Sequence, residues 1–317
     1  MKYSFVLPAY KAQFLKKSID SILCQTYDEF ELIIVNDASP EDLDSIVKSY
    51  NDERIQYYVN DENLGGKDLV DQWNHSISYA KGEYLILASD DDLYDSNYLH
   101  KMDQLICKYP NVDVFRPRIQ FINHIGEVVK IEGYLKEYCS GLEFLYAWSR
   151  EWIESGIPFY IFKRQTILDI GGFAKYPLAW FADDATVLRL AQRGIVSSQD
   201  VLFSFRWSGV NITTRKNTSK DIQAKVIATK TFYEEACCYI ANYSPTSQIE
   251  EYIKSSVACV LSYFLVKSKL ISQLCNTRWR DVTRILPFVL KMRFVERRQI
   301  LNWYKIFTYR LLRGLDV

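Results

Sequence analysis

The sequence lacks the features of a disulfide-bonded, zinc-binding or membrane-spanning protein. Its seven cysteines are an odd number and include no Cys-x-x-Cys pair, which argues against a disulfide framework and against a zinc site. No stretch approaches the ~20 apolar residues of a transmembrane helix. The first apolar run, Tyr3–Leu7, is not part of a signal-peptide pattern. We therefore expect a cytoplasmic protein with reduced thiols.

The chain also has no net charge, because 39 Lys and Arg balance 39 Asp and Glu. This balance hides a basic end, since residues 277–317 hold ten Lys and Arg against three Asp and Glu. Ile300, Tyr304, Phe307 and Leu311 share one helical face there. Such a helix can lie on an anionic membrane, peripherally at its inner face, or pack on the catalytic domain or a homodimer partner. No recognition motif supports a nucleic-acid partner.

Strand-like and helical patterns alternate through the first third of the chain. Four runs are typical of strands: Tyr3–Leu7, Phe30–Val35, Ile55–Val59 and Tyr84–Ala88. The first, second and fourth are expected to be buried. Apolar residues recur at helical spacing between these runs, which predicts βαβ units and a mostly parallel α/β sheet flanked by helices. Pro8 is expected to end the first strand, and Ser39-Pro40 to begin the helix that follows the second.

The pattern changes after Asp92. Three further runs are strand-like, Val112–Phe115, Ile119–Ile122 and Val128–Ile131, and the last two are expected to form a hairpin. From about Lys220 helical patterns dominate. We predict a catalytic domain over residues 1–215 and a helical, basic C-terminal region over residues 216–317.

Three consecutive aspartates, Asp90–Asp92, follow the fourth predicted strand. Adjacent like charges repel by about 1 kcal/mol in water and more near protein, so a cation must relieve them or the loop must be solvated. Ligands of open α/β sheets bind beyond the carboxyl ends of strands, and Mg²⁺ or Mn²⁺ prefers oxygen ligands. An EF-hand is excluded, because Asp95 and Lys101 occupy its glycine and glutamate positions. The alternatives are a metal and phosphate site or a solvated acidic loop.

Other polar residues fall at the same predicted sheet edge. Asn36-Asp37 ends the second strand, where a carboxylate can accept a hydrogen bond from a base or ribose, or simply form a turn. The turn Asn63–Lys67 brings a lysine towards this edge, but it matches neither a Walker loop nor G-x-G-x-x-G. Further along, Asp183-Asp184 could supply a general base or serve as ordinary acids of a first helical turn.

Five segments occur in an order that identifies a family: Ser4–Tyr10, Leu23–Tyr27, Phe30–Ser39, Asn63–Gly65 and Gly82–Tyr94. The chain resembles glycosyltransferase family 2, which has the GT-A fold and binds nucleotide-diphosphate sugars. The resemblance covers roughly residues 2–215. It implies a GT-A-type, Rossmann-like sheet followed by a helical C-terminal extension.

The resemblance also implies roles for individual residues of the donor site. Pro8, Ala9, Tyr10 and Asp37 look like nucleotide contacts, with Asp37 on the base. Lys67 stands where some members hold a basic residue near the donor. Asp90 joins these donor contacts and also belongs, with Asp91 and Asp92, to the metal-binding DxD region, in which Asp91 is the preferred ligand.

The catalytic base implied by the resemblance is Asp183, with Asp184 as a competitor. Gly171-Gly172-Phe173 matches the family's turn before that base, and the segment from Arg206 to Thr213 matches a later motif. Three positions depart from the family pattern. Ser89 and Ala182 stand where many members have acidic residues, and Ser208 stands where many have a histidine.

The sequence therefore predicts an inverting, metal-dependent hexosyltransferase of polysaccharide or glycan biosynthesis. The expected donor is a nucleotide-diphosphate sugar, with a UDP-sugar favoured, and the acceptor is a glycan or lipid-linked hydroxyl. Mn²⁺ or Mg²⁺ is the expected cofactor. Two alternatives stay open: an enzyme related to sugar-nucleotide pyrophosphorylases, and a non-catalytic binding module with the GT-A fold.

Overall fold

A computed structural model of the protein describes residues 1–207 and 217–275. This part of the chain forms two compact units. The first comprises Met1–Phe144, Trp152–Lys175 and residues 182–207, and the second comprises Leu145–Glu151, Tyr176–Phe181 and residues 217–275. Ser208 and the basic segment 277–317 lie outside the described residues, so the predicted boundary near residue 215 stays a prediction.

The core of the first unit is a run of four parallel strands, whose order in the sheet is β3-β2-β1-β4. They are β1 (Tyr3–Ala9), β2 (Phe30–Asn36), β3 (Ile55–Val59) and β4 (Tyr84–Leu87). β1 and β2 pair from Tyr3↔Phe30 to Ala9↔Asn36. Nearly every residue of these two strands is buried, because both faces of a parallel sheet are covered by helices. The predicted parallel α/β core is confirmed.

Six more strands complete the sheet on the β4 side. They are β5 (Leu93–Tyr94), β6 (Val114–Asn123), β7 (Val128–Ile131), β8 (Tyr138–Cys139), β9 (Ile161–Lys163) and β10 (Ile195–Trp207). The order continues β4-β9-β6-β10-β5, with β7 on β6 and β8 on β10. β9 runs antiparallel to both β4 and β6, whereas β6 and β10 pair in parallel. The predicted hairpin is confirmed, since β6 and β7 pair antiparallel.

The helices of the described residues mostly follow the apolar periodicity of the sequence. They are α1 (Leu15–Leu23), α2 (Leu43–Lys48), α3 (Leu69–Ile77), α4 (Tyr98–Lys108), α5 (Gly141–Ser149), α6 (Arg164–Asp169), α7 (Ala182–Leu190), α8 (Ser219–Asn242), α9 (Gln248–Phe264) and α10 (Ser272–Cys275). A π-helical segment, Leu265–Ile271, joins α9 to α10. None of the helices in residues 1–207 and 217–275 combines the length and the apolarity that a membrane crossing requires.

The second unit is organised around aromatic rings and one buried lysine. The Trp148 ring lies edge-on to Phe181, Phe232 and Phe264, and Phe181 stacks on Phe232 at 4.9 Å. The Nζ of the buried Lys225 donates to Asn217 Oδ1 and Gln273 Oε1 at 2.8 and 2.6 Å. These contacts tie both ends of the described C-terminal segment to α8.

The structure corrects three details of the predicted elements. Pro8 does not end β1, which continues to Ala9, because β4 pairs with β1 only as far as Val6 and leaves that side without a ladder bond to lose. The runs predicted before and after residue 117 form the single strand β6. α2 begins at Leu43 with Asp42 as its N-cap, so Ser39 is not the cap. The Ser39 hydroxyl instead donates to the Tyr10 carbonyl at 2.6 Å.

A buried carboxylate ties together the strands at the amino end of the sheet. Glu31 is 2% exposed and accepts hydrogen bonds from the Ser4 hydroxyl at 2.6 Å and the Gln56 amide at 2.6 Å. It also accepts from the backbone N–H of Lys81 at 2.8 Å. The Ser4 hydroxyl in turn accepts from the Gly82 N–H at 2.8 Å. One side chain thus fixes β1, β2, β3 and the entry to β4.

We expect Glu31→Ala to lower the free energy of unfolding by roughly 2–4 kcal/mol, because it leaves buried donors without an acceptor. Urea unfolding followed by circular dichroism measures this loss. Glu29→Ala is the matched control, since Glu29 is exposed on the neighbouring turn and should change stability by less than about 0.5 kcal/mol. Equal effects of the two substitutions would contradict the role assigned to Glu31.

Candidate functional site

Three loops meet where β1, β2 and β4 end. The backbone N–H of Asp37, after β2, donates to the Ala9 carbonyl of β1 at 3.0 Å. Asp90, after β4, accepts hydrogen bonds at its Oδ2 from the N–H groups of Tyr10 and Lys11 at 2.9 and 2.8 Å. The structure therefore brings Asp37, Tyr10 and the triple aspartate to one sheet edge, as parallel strand ends require.

The carboxylate of Asp37 is buried, with 4% exposure, and organises the loop after β3. Its Oδ1 accepts from the Asn60 amide at 2.7 Å and from the Leu64 N–H at 2.9 Å. Its Oδ2 accepts from the Gly65 N–H at 2.8 Å. A Cβ atom on Gly65 would lie 3.0 Å from this Oδ2, so glycine keeps the oxygen uncrowded.

Asp92 is the most buried of the three aspartates, with no exposed surface. Its carboxylate accepts from the Ser89 hydroxyl and, at 2.8 Å, from the backbone N–H of Arg206 in β10. Burial raises the pKa of Asp92 well above its usual value, and the charge of Asp91 adds to this effect. Asp92 therefore fastens the loop to a strand 114 residues away in sequence.

The guanidinium of Arg206 donates hydrogen bonds to backbone carbonyls of this loop and of β6. Its Nε donates to the Asp91 carbonyl at 2.8 Å, and its NH1 donates to the Asn123 carbonyl at 3.1 Å. The group lies 4.4 Å from the centre of the Phe14 ring, and the residue is 1% exposed. Burial lowers the pKa of Arg206, while the charges of Asp91 and Asp92 oppose that shift. Arg206 thus places a buried positive charge beside Asp91 and Asp92.

The carboxylate of Asp91 is held differently from those of its neighbours. Backbone N–H groups hold the Asp90 and Asp92 carboxylates, but within the described residues no backbone N–H donates to Asp91. Burial raises the pKa of Asp91, the Asp90 charge raises it further, and the Ser89 hydroxyl opposes the shift. Burial also raises the pKa of Asp90. The assignment of Asp91 as the preferred metal ligand stays a prediction, and the lack of a backbone donor to its carboxylate within the described residues is compatible with it.

The oxygen ligands at this edge fit a divalent cation that is completed by a phosphate ligand. Among the described residues no group of three or more His, Cys, Asp or Glu side chains forms a protein-only metal cage. Mg²⁺-type sites commonly use one or two carboxylates together with waters and substrate phosphates. A half-buried Asp91 carboxylate matches that donor set. Asp90 and Asp92 accept backbone hydrogen bonds that hold the loop, and their predicted role as metal ligands stays a prediction.

Asp183 and Asp184 lie in the first turn of α7. The N–H of Asp184 donates to the Asp183 Oδ1 at 3.0 Å. Both carboxylates lie near the buried Tyr160: burial raises the pKa of Tyr160, and the charges of Asp184 and Asp183 add to that shift. The segment before them has left-handed backbone at Leu178, Ala179 and Phe181, a strained conformation that proteins concentrate at functional sites.

The remaining predicted contacts take different positions. Ala9 is buried, Pro8 is half-buried and the Tyr10 side chain is 41% exposed. Lys67 points into solvent, where its Nζ pairs with Glu62 at 2.5 Å, so its role at the donor stays a prediction.

Two parts of this site were not predicted from the sequence. A cation beside the aspartates was expected, but nothing in the chain order indicates that Arg206, more than a hundred residues later, supplies it. The use of Asn60 to hold Asp37 was also missed, since an asparagine after a strand is equally typical of a turn.

Comparison with known proteins gives a consistent result. The family model described as glycosyl transferase family 2 matches residues 4–163. A glycosyltransferase of Rickettsia typhi is 37% identical over 112 residues, which are 35% of this chain and 34% of that protein. Glycosyltransferase GlyA of Streptococcus pneumoniae is 31% identical over 111 residues, or 34% of this chain and 15% of that protein. The match thus spans about a third or less of these relatives' own lengths.

Two solved structures extend the similarity to the fold. S. aureus TarS 1-349 in complex with UDP-GlcNAc superposes with a TM-score of 0.66 at 17% identity, covering 99% of this chain and 92% of that one. GalNAc-T7 with UDP, GalNAc and Mn²⁺ gives a TM-score of 0.54 at 14% identity, covering 84% and 56%. The predicted GT-A-type fold with helices after the sheet is confirmed.

We expect Arg206→Gln to lower the free energy of unfolding by about 2–4 kcal/mol, because it leaves clustered carboxylates without their buried countercharge. Thermal and urea unfolding of the isolated protein measure the loss. Lys48→Gln is the control, since Lys48 and its partner Asp44 are 69% and 46% exposed and surface ion pairs contribute about 0–1 kcal/mol. If Arg206→Gln is no less stable than this control, Arg206 does not hold the aspartate loop.

Proposed function

Because the chain belongs to glycosyl transferase family 2, we propose that it transfers a sugar from a nucleotide-diphosphate sugar to an acceptor hydroxyl. The proposed donor is a UDP-sugar, and the acceptor is a glycan or a lipid-linked saccharide. Transfer proceeds with inversion and requires a divalent cation. The product would be part of a polysaccharide or glycan.

One observation carries this proposal: Asp37 and the Asp90–Asp92 loop both bond to the end of β1. The Asp37 N–H bonds to Ala9, and the Asp90 carboxylate accepts from the next two N–H groups. A nucleotide that lies across Tyr10 would then have its base towards Asp37 and its diphosphate towards Asp91. This is the position outside the carboxyl ends of strands where α/β proteins bind nucleotides.

The carboxylate of Asp37 retains a place for the base. A carboxylate offers about four lone-pair directions, and the structure uses two on Oδ1 and one on Oδ2. Oδ2 can therefore accept one further hydrogen bond, such as that from the imide N–H of uracil. Gly65 leaves this oxygen accessible, because any larger residue would crowd it.

Asp91 would hold the divalent cation together with oxygens of the donor diphosphate. When bound, the cation supplies positive charge that stabilises the leaving nucleotide diphosphate. Asp90, Asp92 and Arg206 keep the Asp91 backbone fixed, so that its carboxylate needs little rearrangement on binding. Preorganisation of this kind lowers the cost of forming a site.

Asp183 is the proposed general base. It would accept the proton of the acceptor hydroxyl while the hydroxyl oxygen attacks the anomeric carbon of the donor. The bond to the diphosphate oxygen breaks on the opposite face, which inverts the configuration. The Asp184 N–H donates to one Asp183 oxygen at 3.0 Å, which helps to orient the carboxylate. General-base catalysis contributes about 10²–10⁴-fold to a rate.

We expect Asp183→Asn to reduce sugar transfer by at least about 10²-fold, because an amide cannot accept the proton. Binding of UDP in the presence of Mn²⁺ should stay within about twofold of the wild type, since Asp183 does not contact the nucleotide in this scheme. Transfer is measured with a panel of UDP-sugars and oligosaccharide acceptors, and UDP binding by calorimetry.

Asp184→Asn is the matched control for this experiment, and it should retain most of the transfer rate. A larger loss in Asp184→Asn than in Asp183→Asn would exchange the roles of the two residues. Wild-type protein that binds UDP but transfers no sugar would favour a non-catalytic binding module.

A further inference from the structure

Two aromatic side chains of the first unit stand out in solvent on neighbouring segments. Tyr134 is 70% exposed and Trp152 is 53% exposed. The segments approach closely, because a Cβ atom on Gly133 would lie 2.6 Å from the Trp152 carbonyl oxygen. The exposed parts of both rings on adjacent segments offer aromatic surface to a ligand. We call Tyr134, Trp152 and the neighbouring Arg118 the aromatic platform.

The aromatic platform has a rigid base. The Arg118 guanidinium lies 3.7 Å from the centre of the Tyr134 ring and donates two hydrogen bonds to the Glu132 carbonyl, at 3.0 and 2.8 Å. The Glu132 carboxylate accepts from the Glu154 N–H at 2.7 Å, two residues after Trp152. Glu132 therefore connects the three segments that carry Arg118, Tyr134 and Trp152.

A buried ion pair holds Glu132 itself. The Arg116 guanidinium contacts the Glu132 carboxylate at 2.6 Å, and the two side chains are 1% and 3% exposed. Arg116 also donates to the Glu154 carbonyl at 3.2 Å. Breaking a buried pair of this kind costs several kcal/mol, so the platform is held in one arrangement. Exposed rings on a rigid base are typical of binding surfaces.

The Arg116–Glu132 ion pair and the proposed catalytic base both lie near Tyr160. Arg116 lies 5.9 Å from the centre of the Tyr160 ring, beside which Asp183 and Asp184 place their charges. The strand register also places Arg116 near the donor edge, because Leu85 of β4 and Val114 of β6 both pair with Phe162 of β9. Two residues further along each strand, Leu87 and Arg116 are level at the donor edge of the sheet.

We propose that the aromatic platform of Tyr134, Trp152 and Arg118 binds the acceptor saccharide. A pyranose ring has one apolar face of C–H groups, which packs on an aromatic ring, and a rim of hydroxyls. The Arg118 guanidinium beside Tyr134 can donate to those hydroxyls. The apolar face of the sugar is complementary to the aromatic rings, and its hydroxyl rim is complementary to the guanidinium donors. This inference rests on the proposed transferase function and adds where its acceptor binds.

The mixed chemistry of the platform argues for a saccharide over a protein partner. Protein interfaces are centred on rings that are completely desolvated within a large apolar patch. Here a guanidinium covers one ring and the other ring is half in solvent. A sugar of one or two rings needs only this small area. Phe144 and Tyr160, which flank Arg116, are buried and take no direct part.

The test measures binding of the full-length protein to a panel of oligosaccharides on a glycan array, with UDP binding in Mn²⁺ measured in parallel. We expect Tyr134→Ala and Trp152→Ala each to weaken retention of the bound saccharides about tenfold, the loss of one ring contact. Tyr134→Phe should restore binding, because the ring is kept. Tyr252→Ala is the matched control, since Tyr252 is 68% exposed on α9.

The platform variants should keep wild-type UDP binding and thermal stability, because both rings are exposed. Saccharide binding that is unchanged in Tyr134→Ala and Trp152→Ala would overturn the platform while leaving the transferase proposal intact. Wild-type protein that binds UDP but retains no saccharide at millimolar concentration would also overturn it. Loss of UDP binding in the wild type would instead contradict the proposed function.

Discussion

Repulsion among the three adjacent carboxylates that follow β4 is the constraint on which the donor edge depends. Each is at least half-buried, and burial raises the pKa of each, so the charged forms cost free energy in the folded state. The protein offsets this cost with the buried guanidinium of Arg206 and with backbone N–H groups from β1 and β10. These hydrogen bonds require the segment after β1 and strand β10, which are far apart in sequence, to lie beside the acidic loop.

The three aspartates differ in the hydrogen bonds that their carboxylates accept. Asp90 and Asp92 accept backbone hydrogen bonds that join the loop to the segment after β1 and to β10, whereas Asp91 is the proposed ligand of the cation. The sheet then relates this loop to the other proposed groups. The end of β1 connects the aspartate loop to Asp37. On the other side of β4, strand β9 pairs with β4 and begins directly after Tyr160, on which the charges of Asp183 and Asp184 act. Donor binding, proton transfer and acceptor binding would thus share one edge of a single sheet.

Much of this was predictable from the sequence, for a physical reason. The strands β1, β2 and β4 are buried and consist of nearly continuous apolar runs, and parallel strand ends place Asp37 and Asp90–Asp92 together without further information. The missing parts are long-range and polar. Arg206 and Glu132 are ordinary charged residues in the sequence, and only strand pairing shows that they are buried partners of Asp92 and Arg116. Pro8 misled the prediction, because it lies within β1 on a side where it has no ladder hydrogen bond to lose.

The central claim is that Asp91 and Asp37 hold the two ends of one nucleotide diphosphate. Crystals grown with UDP and Mn²⁺, with diffraction recorded at the manganese absorption edge, test it most directly. The expected result is an anomalous peak at coordination distance from an Asp91 oxygen and from the diphosphate, with the uracil hydrogen-bonded to Asp37 Oδ2. Manganese bound away from Asp91, or uracil bound away from Asp37, would contradict it.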